Sequence, residues 1–340
     1  MTVPTAHLAS VGTCLPGEPV DNATLAKLVG VDEQWAEMLI GNTSRYFAVD
    51  LATGHVRHSL TDIATTAADR ALAQAGLDPG DIDCIVMGTA TPDQLMPATV
   101  NLVADRLGID NVPTYQLQSG CAGAIQALDV ARTLLLAGRC ATVLVIGGDV
   151  CAKHLETDFD PGSRSSAELV NYVLFGDGAG AAVLSTESFG QRIEIRQVLN
   201  RLVGLGKKPG QVIDWFGLAD RHTDRTVVSE DYKAIEAAVP ALASQMFWEL
   251  LADLGWTPDQ VNYLLPPQLS GRMSDRISEG MPAPGARRIN VVRTVGNNGN
   301  ALPFLQLAEL TEQWQGPGRA VTVAIESSKW IKSGIALERT

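Results

Sequence analysis

The fold is decided by the stretch Gln118-Ser119-Gly120-Cys121-Ala122-Gly123-Ala124. The apolar run at 112–117 predicts a buried strand, and apolar residues at helical spacing predict a helix over 122–137 that stops at Gly138. Cys121 is therefore expected at a strand-to-helix junction, where small neighbours leave room for a substrate and free helix amides favour a thiolate. This pattern predicts a nucleophile, although it is also typical of a small buried cysteine packed at a tight turn.

A unit of helix, turn and strand occurs on both sides of this stretch. The first copy has a predicted helix over 60–76 and a strand over 82–88, joined by a Pro-Gly turn. The second copy has a predicted helix over 232–254 and a strand over 261–265, joined by a turn that contains Pro258. When the two copies are aligned with a shift of one residue, the glycine, the turn, the proline and the strand of one copy coincide with those of the other. This match predicts two related halves.

The predicted halves are residues 1–186, which carry Cys121, and residues 187–340. Strands that alternate with helices imply a mostly parallel sheet, whose ligands gather at the carboxyl ends of the strands. A glycine-rich run at 174–184 lies close to the boundary. Because apolar, strand-like residues flank it and it opens no helix, we interpret it as a tight turn between two buried strands rather than a dinucleotide fingerprint.

The composition argues against several classes of protein. The chain has 340 residues, of which 46% are hydrophobic, so it can bury a large core. A formal net charge of −12 argues against a nucleic-acid partner. The N-terminus lacks a basic segment followed by an apolar stretch, and no apolar run approaches the roughly 20 residues of a membrane span. We expect a cytoplasmic protein with no membrane partner.

The cysteines and histidines indicate no metal site. Five scattered cysteines without paired spacing suggest neither a disulfide framework nor a zinc cluster. His55 and His58 have a spacing that suits a metal, but without a third ligand the pair is more typical of a loop. No metal or other cofactor is therefore expected.

Four segments in the same order resemble the thiolase superfamily, and most closely the β-ketoacyl-acyl-carrier-protein synthase III family. They are residues 83–93, 119–123, 174–181 and 232–268. The resemblance implies a pseudo-duplicated α/β fold, with mixed sheets in a layered α/β/α/β/α arrangement, and a homodimer. It also implies that Cys121 attacks an acyl thioester to give an acyl-enzyme, after which a histidine and an asparagine help to decarboxylate a malonyl unit.

The sequence departs from the family where the histidine is expected. The family's proline-histidine-glutamine run is Pro266-Pro267-Gln268 in this chain, and proline offers neither a proton donor nor an acceptor there. Asn297 matches the family's asparagine, although Asn298 and Asn300 also fit, and the segment is equally typical of an asparagine-glycine turn.

A second departure lies near the C-terminus. The resemblance implies a run of glycines there whose backbone contributes to the oxyanion hole. This chain instead has bulky and charged residues at 326–334, including Glu326 and Lys329. We therefore expect a pocket of different shape and polarity.

A third departure concerns recognition of the thioester carrier. Trp35 corresponds to a tryptophan that flanks the coenzyme A adenine in some members, but the basic residue expected after it is Leu39. An acyl carrier protein is therefore favoured over coenzyme A as the donor. Arg272 matches a basic residue of the family's carrier-docking surface, and Arg276 is expected to join it in meeting the carrier's acidic helix. The same arginines are also typical of an ordinary solvated face.

These departures predict an acyltransferase that forms an acyl-Cys121 thioester and hands the acyl group to a hydroxyl, amine or carbon acceptor in polyketide-like or fatty-acid-like biosynthesis. Losing one enolate donor costs on the order of 10²–10³ in rate, so acyl transfer should survive better than malonyl decarboxylation. An acceptor hydroxyl needs a base, for which the sequence offers His154, Glu326 and Lys329. Two alternatives stay open: a decarboxylative condensing enzyme that uses Asn297 and water, and a non-catalytic homologue that binds a carrier.

Overall fold

The computed structural model describes residues 5–187, 192–215, 217, 220, 222–223, 225 and 227–340. In chain order, the strands are β1 (His7–Cys14), β2 (Val20–Asp21), β3 (Ser44–Arg45), β4 (Cys84–Thr89), β5 (Thr114–Gln118), β6 (Thr142–Asp149), β7 (Gly178–Ser185), β8 (Ile193–Leu202), β9 (Gln211–Ile213), β10 (Val228–Glu230), β11 (Tyr263–Leu265), β12 (Arg287–Arg288), β13 (Gly318–Glu326) and β14 (Ile331–Arg339). The α-helices are α1 (Asn22–Val29), α2 (Glu33–Leu39), α3 (Leu60–Ala75), α4 (Thr99–Leu107), α5 (Gly123–Leu136), α6 (Ser166–Leu174), α7 (Tyr232–Leu254), α8 (Gly271–Glu279), α9 (Val292–Val295) and α10 (Leu302–Gln313).

The main sheet of the described chain repeats one topology twice. Its order is β12-β11-β13-β14-β8-β1-β7-β6-β4-β5. Outward from the centre, the first half reads β1-β7-β6-β4-β5 and the second reads β8-β14-β13-β11-β12, which is the same path through each half. The halves meet where β1 pairs antiparallel with β8 at His7 and Leu8. The predicted boundary at residue 186 falls between β7 and β8 and stays a prediction.

Three apolar cores order the helices and strands into layers. One core joins α5 and α10 to the inner faces of both halves of the sheet. A second packs α3 and α4 on the outer face of the first half, and a third packs α7 and α8 on the outer face of the second. Along β4, Cys84 and Val86 face the middle layer whereas Ile85 and Met87 face the outer one. The predicted α/β/α/β/α arrangement of mixed sheets is confirmed.

Helices α3 and α7 begin and end where their sequences predict. Ser59 and Asp62 form a capping box at the start of α3, and Asp231 caps the start of α7. Each helix ends at a glycine in the left-handed conformation, Gly76 with φ 68° and Gly255 with φ 65°. These local signals predict where the two helices begin and end.

Strand β5 is not the buried strand that its apolar run predicts. It is the last strand in the sheet order, with β4 on one side and no further strand of the described chain on the other. Its residues are only partly buried, and Tyr115 is 44% exposed. Edge position explains the difference, because hydrophobicity alone does not say how many neighbours a strand has.

The glycine-rich run at 174–184 is also not the predicted turn between two strands. Helix α6 ends at Leu174, and the glycines lie within β7, where they open no helix. The glycines permit close packing: a Cβ on Gly180 would lie 2.3 Å from the Cβ of Phe304 in α10. The middle layer therefore approaches the backbone of β7 directly.

Among the described residues, none of the helices combines the length and the apolar character that a membrane span requires. The same residues contain no group of three side chains arranged to hold a metal ion. His55 is exposed and His58 is half-buried.

Candidate active site

Cys121 lies in the turn that joins β5 to α5, as predicted. The turn is closed by the Gly123 amide, which donates to the Gly120 carbonyl at 2.8 Å. The cysteine is half-buried and lines a cavity of about 90 Å³. It is therefore not the sealed core cysteine that the sequence left open as an alternative.

The cavity is walled by apolar side chains from both halves of the chain. Its apolar lining includes Leu174 from the first half and Ile235, Val239, Leu302 and Val323 from the second. Such a wall suits the aliphatic part of an acyl chain, with a few polar groups left to fix its orientation.

Asn297 and Pro267 line the same cavity as Cys121. The side chain of Asn297 is 1% exposed, donates from Nδ2 to the Leu269 carbonyl at 3.3 Å and accepts from the Gly299 amide at 3.1 Å. No histidine occurs among the described residues that line this cavity. Proline thus stands in the wall where the family resemblance places a proton donor.

The other two candidate asparagines have structural roles. Asn298 donates to the Asp177 carbonyl at 2.7 Å. Asn300 donates from Nδ2 to the Ser119 carbonyl at 2.9 Å and to Asp149 at 2.8 Å, which ties the Cys121 turn to the end of β6. Neither side chain lines the cavity, so Asn297 is the one of the three asparagines that shares the cavity wall with Cys121.

Glu326, the last residue of β13, is buried against the Cys121 turn. It is 1% exposed, and its Oε1 accepts from the Ser328 amide at 2.8 Å. A Cβ on Gly120 would lie 2.0 Å from Oε2, so the carboxyl group occupies the space above that glycine. The bulky residue that the sequence places here therefore fills space at the Cys121 turn, and a pocket of different shape and polarity stays a prediction.

The electrostatics of the site disfavour the thiolate form of Cys121. Burial, followed by the nearby carboxyl groups of Glu326 and Asp149, raises the pKa of the Cys121 thiol well above its usual value. Burial also raises the pKa of Glu326, an effect that the amides of Ser328 and Ala122 oppose. The prediction of a thiolate favoured by the helix amides is wrong, because burial and like charge outweigh the N-terminus of α5.

The raised pKa of Cys121 predicts a slow reaction with iodoacetamide at pH 7. The alkylation rate should still be rising above pH 9, because the thiolate fraction grows until the pH passes the thiol's pKa. Peptide mass spectrometry of timed samples between pH 6 and 10 would measure this rate for Cys121, with the exposure-matched Cys140 as the internal reference. An alkylation rate that no longer rises above pH 9 would contradict the raised pKa.

The other two candidate bases lie away from Cys121. His154 lines a neighbouring cavity of about 40 Å³ together with Cys151, and burial lowers the pKa of His154 to about 4. Lys329 is exposed and donates from Nζ to the Lys207 carbonyl at 2.6 Å. Of the three candidates, Glu326 is the one held beside the cysteine.

The predicted carrier-binding residues divide into two groups. Trp35 is half-buried, packs against an apolar cluster and does not line the cavity. Arg272 and Arg276 are exposed on α8, a helix whose Met273 does line it. The Arg272 amide donates to the carbonyl of Ile40, which also lines the cavity, at 3.2 Å, so the start of α8 lies next to the cavity wall.

A polar cluster in the cavity wall escaped prediction from the sequence. Tyr232 hydrogen-bonds Glu230 and Asn171, and Gln211 donates to Glu230 at 2.5 Å. Glu230, Tyr232 and Gln211 line the cavity, and the charge of Glu230 adds to the raised pKa of Cys121. The available signal, paired polar residues on β9 and β10 before α7, is too common in surface hairpins to single them out.

Comparison with known proteins gives consistent results. A family model described as 3-oxoacyl-[acyl-carrier-protein] synthase III matches residues 115–198. The β-ketoacyl-[acyl-carrier-protein] synthase III of Rhizorhabdus wittichii is 31% identical over 295 residues, which are 87% of this chain and 86% of that protein. The enzyme of the same name from Rhodospirillum centenum is 32% identical over 290 residues, or 85% of this chain and 84% of that protein.

Two solved structures show the same fold. A chain described as "AbyA1 - tetronic acid condensing enzyme" is 52% identical, with a TM-score of 0.95 over 98% of this chain and all of that chain. The priming β-ketosynthase of the R1128 polyketide pathway is 24% identical, with a TM-score of 0.84 over 100% of this chain and 98% of that one. The second likeness shows the fold alone.

Proposed function

Because the chain belongs to the β-ketoacyl-acyl-carrier-protein synthase III family of acyl-transferring condensing enzymes, we propose that it transfers an acyl group through Cys121 to a β-ketoacyl thioester. The acceptor attacks through its α-carbon, and a hydroxyl of the transferred acyl group then closes a tetronate ring. The observation that carries the proposal is the composition of the cavity wall. Cys121 and Asn297 line the cavity, and Pro267 lines it at the position where the family has a decarboxylating histidine. Support for the ring product comes from the 52% identity to a tetronic acid condensing enzyme.

Two carrier thiols leave during the reaction, one when Cys121 is loaded and one when the ring closes. Cys121 attacks the acyl thioester, a C–S bond to the carrier breaks, and the carrier thiol leaves. The acceptor's α-carbon, having lost a proton to solvent, forms a C–C bond with the acyl carbon as the Cys121 sulfur departs. The acyl group's own α-hydroxyl then attacks the acceptor's thioester carbonyl, the C–S bond to the second carrier breaks, and the leaving sulfur takes the hydroxyl proton to depart as a thiol.

This acceptor needs less help than malonyl thioester. Its α-carbon lies between two carbonyls, so its proton is already acidic and no carbon dioxide has to be expelled. The remaining task is to hold the enolate oxygen, for which Asn297 offers Nδ2. The present bond of that atom to Leu269, at 3.3 Å, is at the long end of the normal range, so the amide can turn to a substrate.

Mass spectrometry of the intact enzyme tests the function. The protein would be incubated with a 2-hydroxyacyl carrier thioester and then with a β-ketoacyl thioester. We expect an acyl increment on the Cys121 peptide, its loss on addition of the acceptor, and a cyclic product without carbon dioxide. Carbon dioxide release with a malonyl thioester would instead support the decarboxylative alternative, and no increment with any thioester would support the carrier-binding one.

Charge reversal at Arg272 and Arg276 tests the proposed carrier surface. The double variant Arg272→Glu, Arg276→Glu should raise KM for the carrier-bound donor roughly tenfold, which corresponds to about 1.4 kcal/mol. The kinetics with a small N-acetylcysteamine thioester should not change, because that donor has no acidic helix to dock. Arg139→Glu, at another exposed arginine, is the matched control. An equal loss with both donors would show that the substitutions damage the cavity instead.

A further inference from the structure

The Glu326 carboxyl group is held against the nucleophile from both sides. It occupies the space above Gly120, and it lies near enough to the Ala122 amide to be influenced by it. These two residues flank Cys121 in the chain. Glu326 does not itself line the cavity, whereas Ile325 and Ser327, its neighbours in the chain, do. Its carboxyl group therefore lies behind the cavity wall. Its position therefore suits exchange with the cysteine rather than contact with the acyl chain.

One oxygen of Glu326 is left without a partner. Oε1 accepts from Ser328, but the buried Oε2 has no hydrogen-bond partner among the described residues. Leaving a buried polar oxygen unpaired is costly and is rare unless the group has another task.

The neighbouring buried carboxylates show what a structural role requires. Asp149 accepts from Thr91 with Oδ1 and from Asn300 with Oδ2. Asp177 accepts from the amides of Ala152 and Ala48 with its two oxygens. Both carboxylates have each oxygen satisfied, whereas Glu326 keeps a free one on the side of the Cys121 turn. This difference singles out Glu326 as a proton acceptor.

We propose that Glu326 takes the proton of the Cys121 thiol when the acyl group is loaded, stores it while the acyl-enzyme exists and returns it when the sulfur is released. The inference rests on the proposed function, because it assigns a role in the acyl transfer through Cys121. Pro267, which stands at the position of the family's histidine, takes no part in this proton transfer. The proton acceptor lies on β13 instead.

The proton balance closes over one turnover. In loading, the S–H bond breaks, Oε2–H forms, and the thiolate forms the C–S bond of the acyl-enzyme while the carrier thiolate leaves and is protonated by solvent. In release, the acceptor's α-carbon gives its proton to solvent, the C–S bond to Cys121 breaks, and Oε2–H returns its proton to the sulfur. No oxidant or other reactant is required.

The acidic groups around Cys121 and Glu326 favour transfer of the thiol proton to Glu326 over its loss to solvent. Asp149 and Glu230 also raise the pKa of Cys121, and Cys121 interacts electrostatically with the thiol of Cys151. Each of these side chains becomes negative when it ionises. Loss of the thiol proton to solvent would add one more negative charge beside these acidic side chains. Moving the proton to Glu326 leaves the total charge of the pair unchanged.

Single-turnover loading of Cys121 across pH 6.5–9.5 tests the inference. The wild type should load at a nearly constant rate between pH 7 and 8.5, because the thiol proton passes to Glu326 and not to solvent. Glu326→Gln should load about 10²-fold more slowly at pH 7, which is the lower range for loss of a proton-transfer group. Its rate should climb about tenfold per pH unit, because solvent must then remove the thiol proton.

Two further variants keep the test decisive. Glu326→Asp retains the carboxylate one methylene further back, so it should load at an intermediate rate with the flat profile of the wild type, even if the glutamine variant folds poorly. Glu312→Gln, at an exposed position on α10, should match the wild type in rate and profile.

A uniform loss with an unchanged flat profile would assign Glu326 a structural role and overturn the inference, as would a glutamine variant as fast as the wild type. These results leave the proposed function standing. A wild type that takes no acyl group from any thioester would overturn the proposed function and the inference with it.

Discussion

Replacement of Cys121 by alanine is expected to abolish the acyl-enzyme and to lower product formation by on the order of 10⁴ or more, as for other enzymes that lose a nucleophile. No other cysteine lines the cavity among the described residues, so no second sulfur can take over. The thermal unfolding temperature should change little, because alanine fits a half-buried turn that already has small neighbours. Intact mass after incubation with the donor thioester, and product formation over time, would measure both effects.

Cys140→Ala is the matched control, since Cys140 is also a half-buried free thiol but lies just before β6, away from the cavity. It should keep the acyl increment and the turnover of the wild type. If Cys121→Ala retained a tenth of the activity, the reaction would not pass through that sulfur, and the covalent part of the proposed function would have to be given up.

Local signals were sufficient to predict the elements that carry the site. Capping residues and terminal glycines define α3 and α7 in the sequence itself, and the helix after Cys121 is marked by its apolar spacing. The place of the nucleophile therefore follows from a short stretch. The duplicated topology follows from the repeated helix, turn and strand, whose order in the sheet is the same in each half.

Properties that depend on distant residues could not be predicted in this way. A lowered pKa for Cys121 was expected from the helix that follows it, but Glu326 reaches the same turn from β13 at the other end of the chain. Burial in the fold is the largest cause that raises the pKa of Cys121, and the tertiary contact with Glu326 adds to it. Which asparagine faces the cavity was likewise undecided, because Asn297 and Asn300 differ in partners rather than in sequence context.

The glycines of β7 illustrate the same limit for packing. In the sequence they favour a turn, since glycine is most often read as a source of unusual backbone conformation. In the fold they are needed because Phe304 of α10 lies against Gly180, a contact between residues far apart in the chain. A glycine required by a neighbour cannot be told from a glycine required by a turn until the neighbour is known.

A glycine of this kind should also control the position of the nucleophile. Gly88 is the second-last residue of β4, and a Cβ there would come within 2.6 Å of the carbonyl carbon and oxygen of Gly123, the first residue of α5. Because both partners are backbone, Gly88→Ala must push α5 away from the sheet. We expect a loss of about 1–3 kcal/mol in the free energy of unfolding, as for other overpacked sites.

The loss of activity should exceed what this destabilisation explains. Cys121 is two residues before Gly123, so a shift of the first turn of α5 moves the sulfur relative to Asn297 and Glu326. A displacement of about 1 Å can cost on the order of 10²-fold in rate.

The loading rate of Cys121 would be measured at a temperature where thermal unfolding curves show the variant fully folded. Gly80→Ala, where a Cβ would meet nothing within 4 Å, is the matched control and should keep both stability and rate. A folded Gly88→Ala protein that loads as fast as the wild type would show that the packing of α5 on β4 does not set the position of the sulfur.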